Sequence, residues 1–192
     1  MLIGGLQKFT LSDFPNTPAA IIFTQGCNFN CPYCHNDRLI PLSSDQLIST
    51  EFVLEFLKEK IGKLQGVVIT GGEPTIQSDL ETILEQIKNL GYKTKLDTNG
   101  SNPQLLKKLI EGRLIDFVAM DIKAPWHKYD LLCGKEINLS AVQKSVEVIK
   151  ETKIDHLFRT TVFEEHLKPA DIEIIKEEIS RNSPYKTQVC NL

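Results

Sequence analysis

The chain predicts an α/β fold, an open and partial (β/α)6 barrel of parallel strands, and two observations carry that prediction. Strand-like and helix-like segments alternate from Ala19 to Val189, which implies parallel strands joined by helical crossovers. Five or six such units cannot close an eight-stranded barrel, so the sheet is expected to stay open. At 192 residues, the whole of 1–192 is expected to form one domain with a proper core.

Ala19–Gln25 (AAIIFTQ) is a short apolar, partly β-branched run that ends at Gly26 and reads as the first strand. Ser49–Lys60 sets Phe52, Leu54, Phe56 and Leu57 at helical spacing, with Ser49 or Thr50 as its cap. Gly66–Thr70 (GVVIT) is a buried strand, followed by a helix over Ser78–Leu90 that a Ser78/Glu81 capping box would open. Gly91 ends that helix, and Tyr92–Asp97 is the third strand. Pro103 suits the first position of a helix that runs to Glu111 and closes at Gly112. Leu114–Asp121 is the fourth strand, Leu139–Thr152 a helix, Ile154–Val162 the fifth strand, Pro169–Arg181 a helix and Tyr185–Val189 a sixth strand. Parallel α/β folds gather their sites at the carboxyl ends of strands, so residues just after each strand are expected to carry the chemistry.

Composition narrows the function classes. Hydrophobic residues make up 41% and charged residues 24%, ordinary for a globular protein. A formal charge of −3 lacks the basic footprint of a nucleic-acid binder, so nucleic acid is not an expected partner. The apolar runs are too short to span a bilayer and no apolar leader is visible, so a cytoplasmic protein without membrane attachment is expected.

The loop after the first strand, residues 26–36, holds Cys27, Cys31 and Cys34. Gaps of three and two residues let three thiolates converge from one loop, as an iron–sulfur cluster requires. Three ligands on a four-iron cluster leave one iron open to a substrate or cofactor. Zinc is the competing reading, because Cys-x2-Cys is a common half-site and His35 a nominal fourth ligand. Cys34 and His35 are adjacent and diverge, however, and no second Cys or His pair completes a tetrahedron. Five cysteines, an odd count, serve a disulfide framework poorly. Cys133 and Cys190 stand alone and read as buried or incidental thiols. His35, His127, His156 and His166 show no partner pattern and read as polar surface or turn residues.

The pattern Cys-x3-Cys-x2-Cys, with Tyr33 before the last cysteine, resembles the radical S-adenosylmethionine (SAM) superfamily. The resemblance implies a 4Fe–4S cluster on Cys27, Cys31 and Cys34, SAM on the open iron, and cleavage of SAM to methionine and a 5′-deoxyadenosyl radical. It also implies the partial barrel, and Tyr33 against the SAM adenine, a place that stacking suits. Gly71-Gly72-Glu73-Pro74 after the second strand looks like the motif whose carbonyls, and sometimes the glutamate, receive the SAM ammonium. Asp97-Thr98-Asn99-Gly100 at the third strand end is a turn signal that also resembles a SAM-facing segment of the glycyl-radical-enzyme activases. There Thr98 and Asn99 would face SAM and Asp97 would brace the site.

Asp121 and Lys123 lie two apart after the fourth strand and form the candidate catalytic pair, similar to an Asp-hydrophobic-Lys of the activases. A small cation between Asp97 and Asp121 is a further expectation. Arg159, charged inside an apolar strand, matches an arginine by which the resemblance implies a grip on the SAM carboxylate.

One branch resembles this chain over residues 5 to about 165. Gly5–Pro15 (GLQKFTLSDFP), Phe23–Asn28 (FTQGCN) and Cys34-His35-Asn36 look like activating proteins of the anaerobic ribonucleoside-triphosphate reductase. That implies a glycyl-radical enzyme as protein substrate and a flavodoxin or ferredoxin-type reductant. Asn16 stands where the family often has glycine, and asparagine also tolerates left-handed backbone. No further cysteine cluster is present, so a second, substrate-binding iron–sulfur domain is not expected. A wall of the site that longer activases supply from further chain is expected from elsewhere. Two other functions compete: radical SAM modification of a peptide, RNA or small metabolite, and a zinc- or cluster-binding module without catalysis.

Overall fold

The computed structural model of the protein describes residues 1–189; Cys190 lies outside them. Its seven strands form one sheet in chain order. β2 (Ala19–Thr24), β3 (Gly66–Gly71), β4 (Lys93–Thr98), β5 (Phe117–Asp121), β6 (Asp155–Val162) and β7 (Tyr185–Val189) are mutually parallel. These are the six expected strands, and the open, partial barrel stands. β1 (Ile3–Thr10) is an addition: it pairs antiparallel with β2, Ile3 opposite Thr24 and Thr10 opposite Ala19. Two glycines and an exposed middle deprive this edge strand of the alternation that would mark it in the sequence.

The helices are α1 (Thr50–Glu59), α2 (Leu80–Asn89), α3 (Pro103–Glu111), α4 (Tyr129–Cys133), α5 (Leu139–Thr152) and α6 (Pro169–Ile179). Ser49 caps α1, its Oγ accepting the Phe52 N–H at 3.2 Å. The Ser78/Glu81 capping box does not form: α2 starts behind Asp79, with Ser78 exposed and the Asp79 carboxylate paired to the Met1 ammonium. β5 starts at Phe117 rather than Leu114, because Arg113 turns the chain at φ 56° and the Asp116 carboxylate accepts the Thr94 N–H at 2.7 Å. Asn16 has φ 53°, so the asparagine does occupy the left-handed turn.

Strand alternation divides the sheet into two faces. Ala20, Ile22, Val67, Ile69, Leu96, Val118 and Met120 pack in the main core with the buried faces of the helices. Ala19, Ile21 and Val68 point the other way and join Phe14, with Phe23 and Phe117 against them, in a small apolar plug. Beyond that plug, the same inner face turns polar and charged toward the carboxyl ends of the strands. Among the described residues no helix is long and apolar enough to cross a membrane.

Candidate active site

The polar end of the inner face opens into a cavity of about 520 Å³. Cys27, Cys31, Cys34, Tyr33, Gly71, Gly72, Glu73, Asp97, Thr98, Asn99, Asp121, Lys123 and Arg159 all line it. Pro74 does not; it is buried in the first turn of a short 3-10 helix and fixes the chain's exit from the motif.

The cysteine loop is tied at both ends. Gly26 turns at φ 99° and donates to the Leu39 carbonyl at 2.8 Å, and the Cys27 N–H reaches the Ile40 carbonyl at 3.0 Å. Gln25 is buried, and its amide donates to the carbonyls of Arg38 and Pro41 at 3.0 and 2.7 Å. Phe29 is buried and packs the loop from within. Burial pushes the Cys27 thiol up to about 11 and raises Cys34 as well. Cys31 moves the opposite way, with the neighbouring Cys133 thiol as the main cause. Three soft thiols on one half-buried loop suit an iron–sulfur cluster. Tyr33 is buried with its ring stacked on Phe163, centroids 5.5 Å apart.

The two glycines after β3 make room for protein backbone. A Cβ on Gly71 would meet the Thr24 amide nitrogen at 2.4 Å, and one on Gly72 would lie 2.0 Å from the Gly26 carbonyl oxygen. Glu73 then donates its own N–H to that carbonyl at 2.8 Å, so the motif and the cysteine loop are laced together. The Glu73 carboxylate is 1% exposed and already fully engaged. Oε1 accepts the Thr75 N–H (3.0 Å), the Thr75 hydroxyl (2.6 Å) and the Thr98 hydroxyl (2.7 Å), and Oε2 accepts the Asn99 N–H (2.7 Å). Burial raises its pKa, and these four donors oppose the rise. Asn99 also donates its side-chain amide to Asn28 at 2.9 Å, and Gly100 closes the turn at φ 76°.

Across the inner face runs a chain of alternating charge. Lys95 pairs with Asp97, Asp97 with Arg159 Nη1 at 3.0 Å, Arg159 Nε with Asp121 at 2.9 Å, and Asp121 with Lys123 at 3.1 Å. Three cations and two carboxylates alternate along this chain, and the buried Glu73 carboxylate lines the same cavity. Burial pushes the Asp121 carboxyl up, but Arg159 and Lys123 outweigh it and hold the group down at about 2. Burial alone would depress Lys123; Asp121 and the Cys31 sulfur keep its ammonium well above the ordinary lysine range. Nothing in the structure supports the expected small cation; the guanidinium of Arg159 bridges Asp97 and Asp121. Among the described residues no three His, Cys, Asp or Glu groups converge as a single-ion site requires.

Sequence reasoning missed Lys95, Cys133 and Phe163. Lys95 had a signal, since it shares strand parity with Asp97 and must point to the same face. Cys133 and Phe163 had none, because only folding brings them to the loop. His156 is half-buried with Nδ1 on the Ile154 carbonyl at 2.8 Å, while His35 and His127 are exposed.

The model of the radical SAM superfamily matches residues 21–177 of this chain. A protein of Methanocaldococcus jannaschii, provisionally named a glycyl-radical enzyme activating enzyme, is 32% identical over 193 aligned residues, 97% of this chain and 79% of its own length. A Sulfolobus acidocaldarius protein provisionally named a GTP 3′,8-cyclase is 35% identical over 140 residues, 69% of this chain but only 42% of its own. The structure of anSMEcpe with bound AdoMet superposes with a TM-score of 0.68 at 20% identity, covering 87% of this chain and 49% of that one. The chain thus spans less than half the length of these last two proteins.

Proposed function

Because the chain belongs to the radical SAM superfamily, we propose that this radical SAM enzyme is an activase that generates a glycyl radical on a partner enzyme, such as an anaerobic ribonucleotide reductase. The observation that carries the choice of a protein substrate is the reach of the cavity. Its wall includes Gln7 of β1 and Gln188 and Val189 of β7, the two edges of the sheet. A cavity that runs to the unclosed side of a barrel admits a peptide loop, whereas a small metabolite is held better by an enclosing wall. The Methanocaldococcus relative, matching over nearly the whole chain, supports the same choice.

Cys27, Cys31 and Cys34 would hold a 4Fe–4S cluster, which when bound supplies the electron for cleavage of SAM. Lys123 sits close enough to the thiols to favour their anionic, ligating form. Arg159 on the cavity wall offers the planar donor that suits a carboxylate. Arg159 is itself held by Asp97 and Asp121, which fixes the guanidinium plane rather than leaving both edges open for a grip. Glu73 positions the β3 and β4 ends, so acceptors for an ammonium are left to the backbone of Gly71 and Gly72 on the cavity wall. Tyr33, with Thr98 and Asn99, completes the apolar and polar sides expected for an adenosine. Asp121 and Lys123 line the same cavity and are the proposed catalytic pair. A flavodoxin or ferredoxin-type protein is the proposed electron donor.

The test is direct. Anaerobically reconstituted protein with SAM and a strong reductant should release 5′-deoxyadenosine, and adding the right glycyl-radical enzyme should produce a glycyl-radical signal in electron paramagnetic resonance. An intact cluster that yields no 5′-deoxyadenosine defeats the enzyme reading. The likeness to the Sulfolobus protein supports a second reading, a nucleotide substrate. SAM cleavage stimulated by a purine nucleotide, with no radical on any partner, would establish it.

A further inference from the structure

We propose that Lys95 is a positioning residue for Arg159. By occupying one oxygen of Asp97 it keeps that carboxylate from gripping two guanidinium nitrogens, and so leaves Nη2 free for an anionic ligand. This rests on the proposed role of Arg159 as the donor to the SAM carboxylate. Lys95 stands two residues before Asp97 on β4, off the cavity wall, and is 3% exposed. In register it lies between Val68 of β3 and Phe117 of β5, which both belong to the apolar plug. Its stem therefore runs beside apolar side chains, and its ammonium reaches Asp97 Oδ1, the one acceptor it has among the described residues. A buried ion pair adds little stability over an apolar side chain of similar volume, so folding alone gives no reason for a lysine in this plug.

The bonding pattern supplies the reason. Asp97 Oδ1 accepts Lys95 Nζ, and Oδ2 accepts Arg159 Nη1 at 3.0 Å. Asp121 Oδ1 accepts Arg159 Nε at 2.9 Å, and Oδ2 accepts Lys123 Nζ at 3.1 Å. Each of the four carboxylate oxygens thus has its own nitrogen. Arginine and a carboxylate with two open oxygens otherwise close as a fork of two parallel N–H···O bonds. Such a fork on Asp97 would consume Nη1 and Nη2 together. With Oδ1 held by Lys95, Asp97 takes one nitrogen only, and Nη2 keeps no partner among the described residues. Arg159 lines the cavity, so Nη2 is the nitrogen left for a ligand's carboxylate.

The experiment measures SAM binding rather than turnover, by equilibrium dialysis with anaerobically reconstituted protein whose iron and sulfide content is checked. It compares wild type with Lys95→Met, Lys95→Met/Asp97→Asn and Arg159→Met. Lys95→Met should bind SAM about tenfold more weakly, the size of coupling found between residues of one ion-pair network. Asparagine has a single acceptor oxygen and cannot form the fork, so adding Asp97→Asn should restore binding to within about threefold of wild type. A lysine that merely filled space would show no such rescue. Lys95→Met that binds SAM as wild type does, or a double variant as weak as Lys95→Met, would overturn the proposal. If Lys95→Met fails to fold, the double variant, which buries no unpaired charge, decides alone: binding within about threefold of wild type supports the proposal, and any weaker binding overturns it. Wild-type protein that binds no SAM, or Arg159→Met that binds it as well as wild type, would defeat the reading of Arg159 itself. Weakened binding by Arg159→Met beside unchanged binding by Lys95→Met would defeat only this inference.

Discussion

Replacing Glu73 by glutamine changes one atom in the most heavily bonded polar group of the site, and its cost can be worked from the bonds. The carboxylate accepts two backbone N–H groups, from Thr75 and Asn99, and two hydroxyls, from Thr75 and Thr98, all in a buried setting. A glutamine has one acceptor oxygen and one NH2. If the oxygen faces Thr75 and Thr98, the NH2 meets the Asn99 N–H; if it turns to Asn99, the NH2 meets the Thr75 N–H. The hydroxyls can rotate to accept, but an amide cannot. Either way one buried N–H is orphaned, which costs about 1–3 kcal/mol. Losing the charge from the remaining bonds adds about 1 kcal/mol, for a total of about 2–4 kcal/mol. With a urea m-value of about 2 kcal/mol/M, the unfolding midpoint should fall by about 1–2 M at unchanged m. Glu73→Ala should cost more, since it orphans both amides and leaves a void. A Glu73→Gln midpoint within about 0.3 M of wild type, at equal m, would show that the four bonds do not hold the β3 and β4 ends as argued.

Three other substitutions follow from the same geometry. Gly72→Ala places a Cβ 2.0 Å from the Gly26 carbonyl oxygen, and neither backbone can yield alone; stability should drop by about 1–3 kcal/mol and iron uptake should fall with it, as unfolding and iron assays would report. Asp121 has its pKa lowered in the fold to about 2, so its ion pairs contribute stability above the ordinary aspartate value that is lost as pH falls through about 2. The side chain is 31% exposed, and screening reduces the gain to about 1–2 kcal/mol. The stability gap between wild type and Asp121→Asn should therefore narrow between about pH 4 and pH 2, and a constant gap would refute the pairing. Asn16→Ala puts a Cβ residue with less tolerance at φ 53° and should cost about 1 kcal/mol in a urea melt, while Asn16→Gly should be near neutral.

What the amino-acid sequence determined by itself is what depends on near neighbours along the chain. Three cysteines on one loop, helix starts at Ser49 and Pro103, the left-handed Asn16, and six strands with polar residues at their ends are all local. Alternation of side chains is local too, which is why residues at successive strand ends could be expected around one cavity. The capping box at Ser78 failed although it was local, because the Met1 ammonium engages Asp79 and Ser78 stays exposed. Tertiary structure alone decided who pairs with whom. Arg159 bridges Asp97 and Asp121 because parallel register sets β6 beside β5 and β5 beside β4. Glu73 serves the fold before any ligand, because Thr98 and Asn99 arrive from the next strand with their donors aimed at it. The Cys133 carbonyl reaches the cysteine loop at Asn30, where glycine at 134 lets the two backbones press together. Such contacts join residues far apart in sequence, and their geometry exists only once the strands have found their register and the sheet has packed on its core.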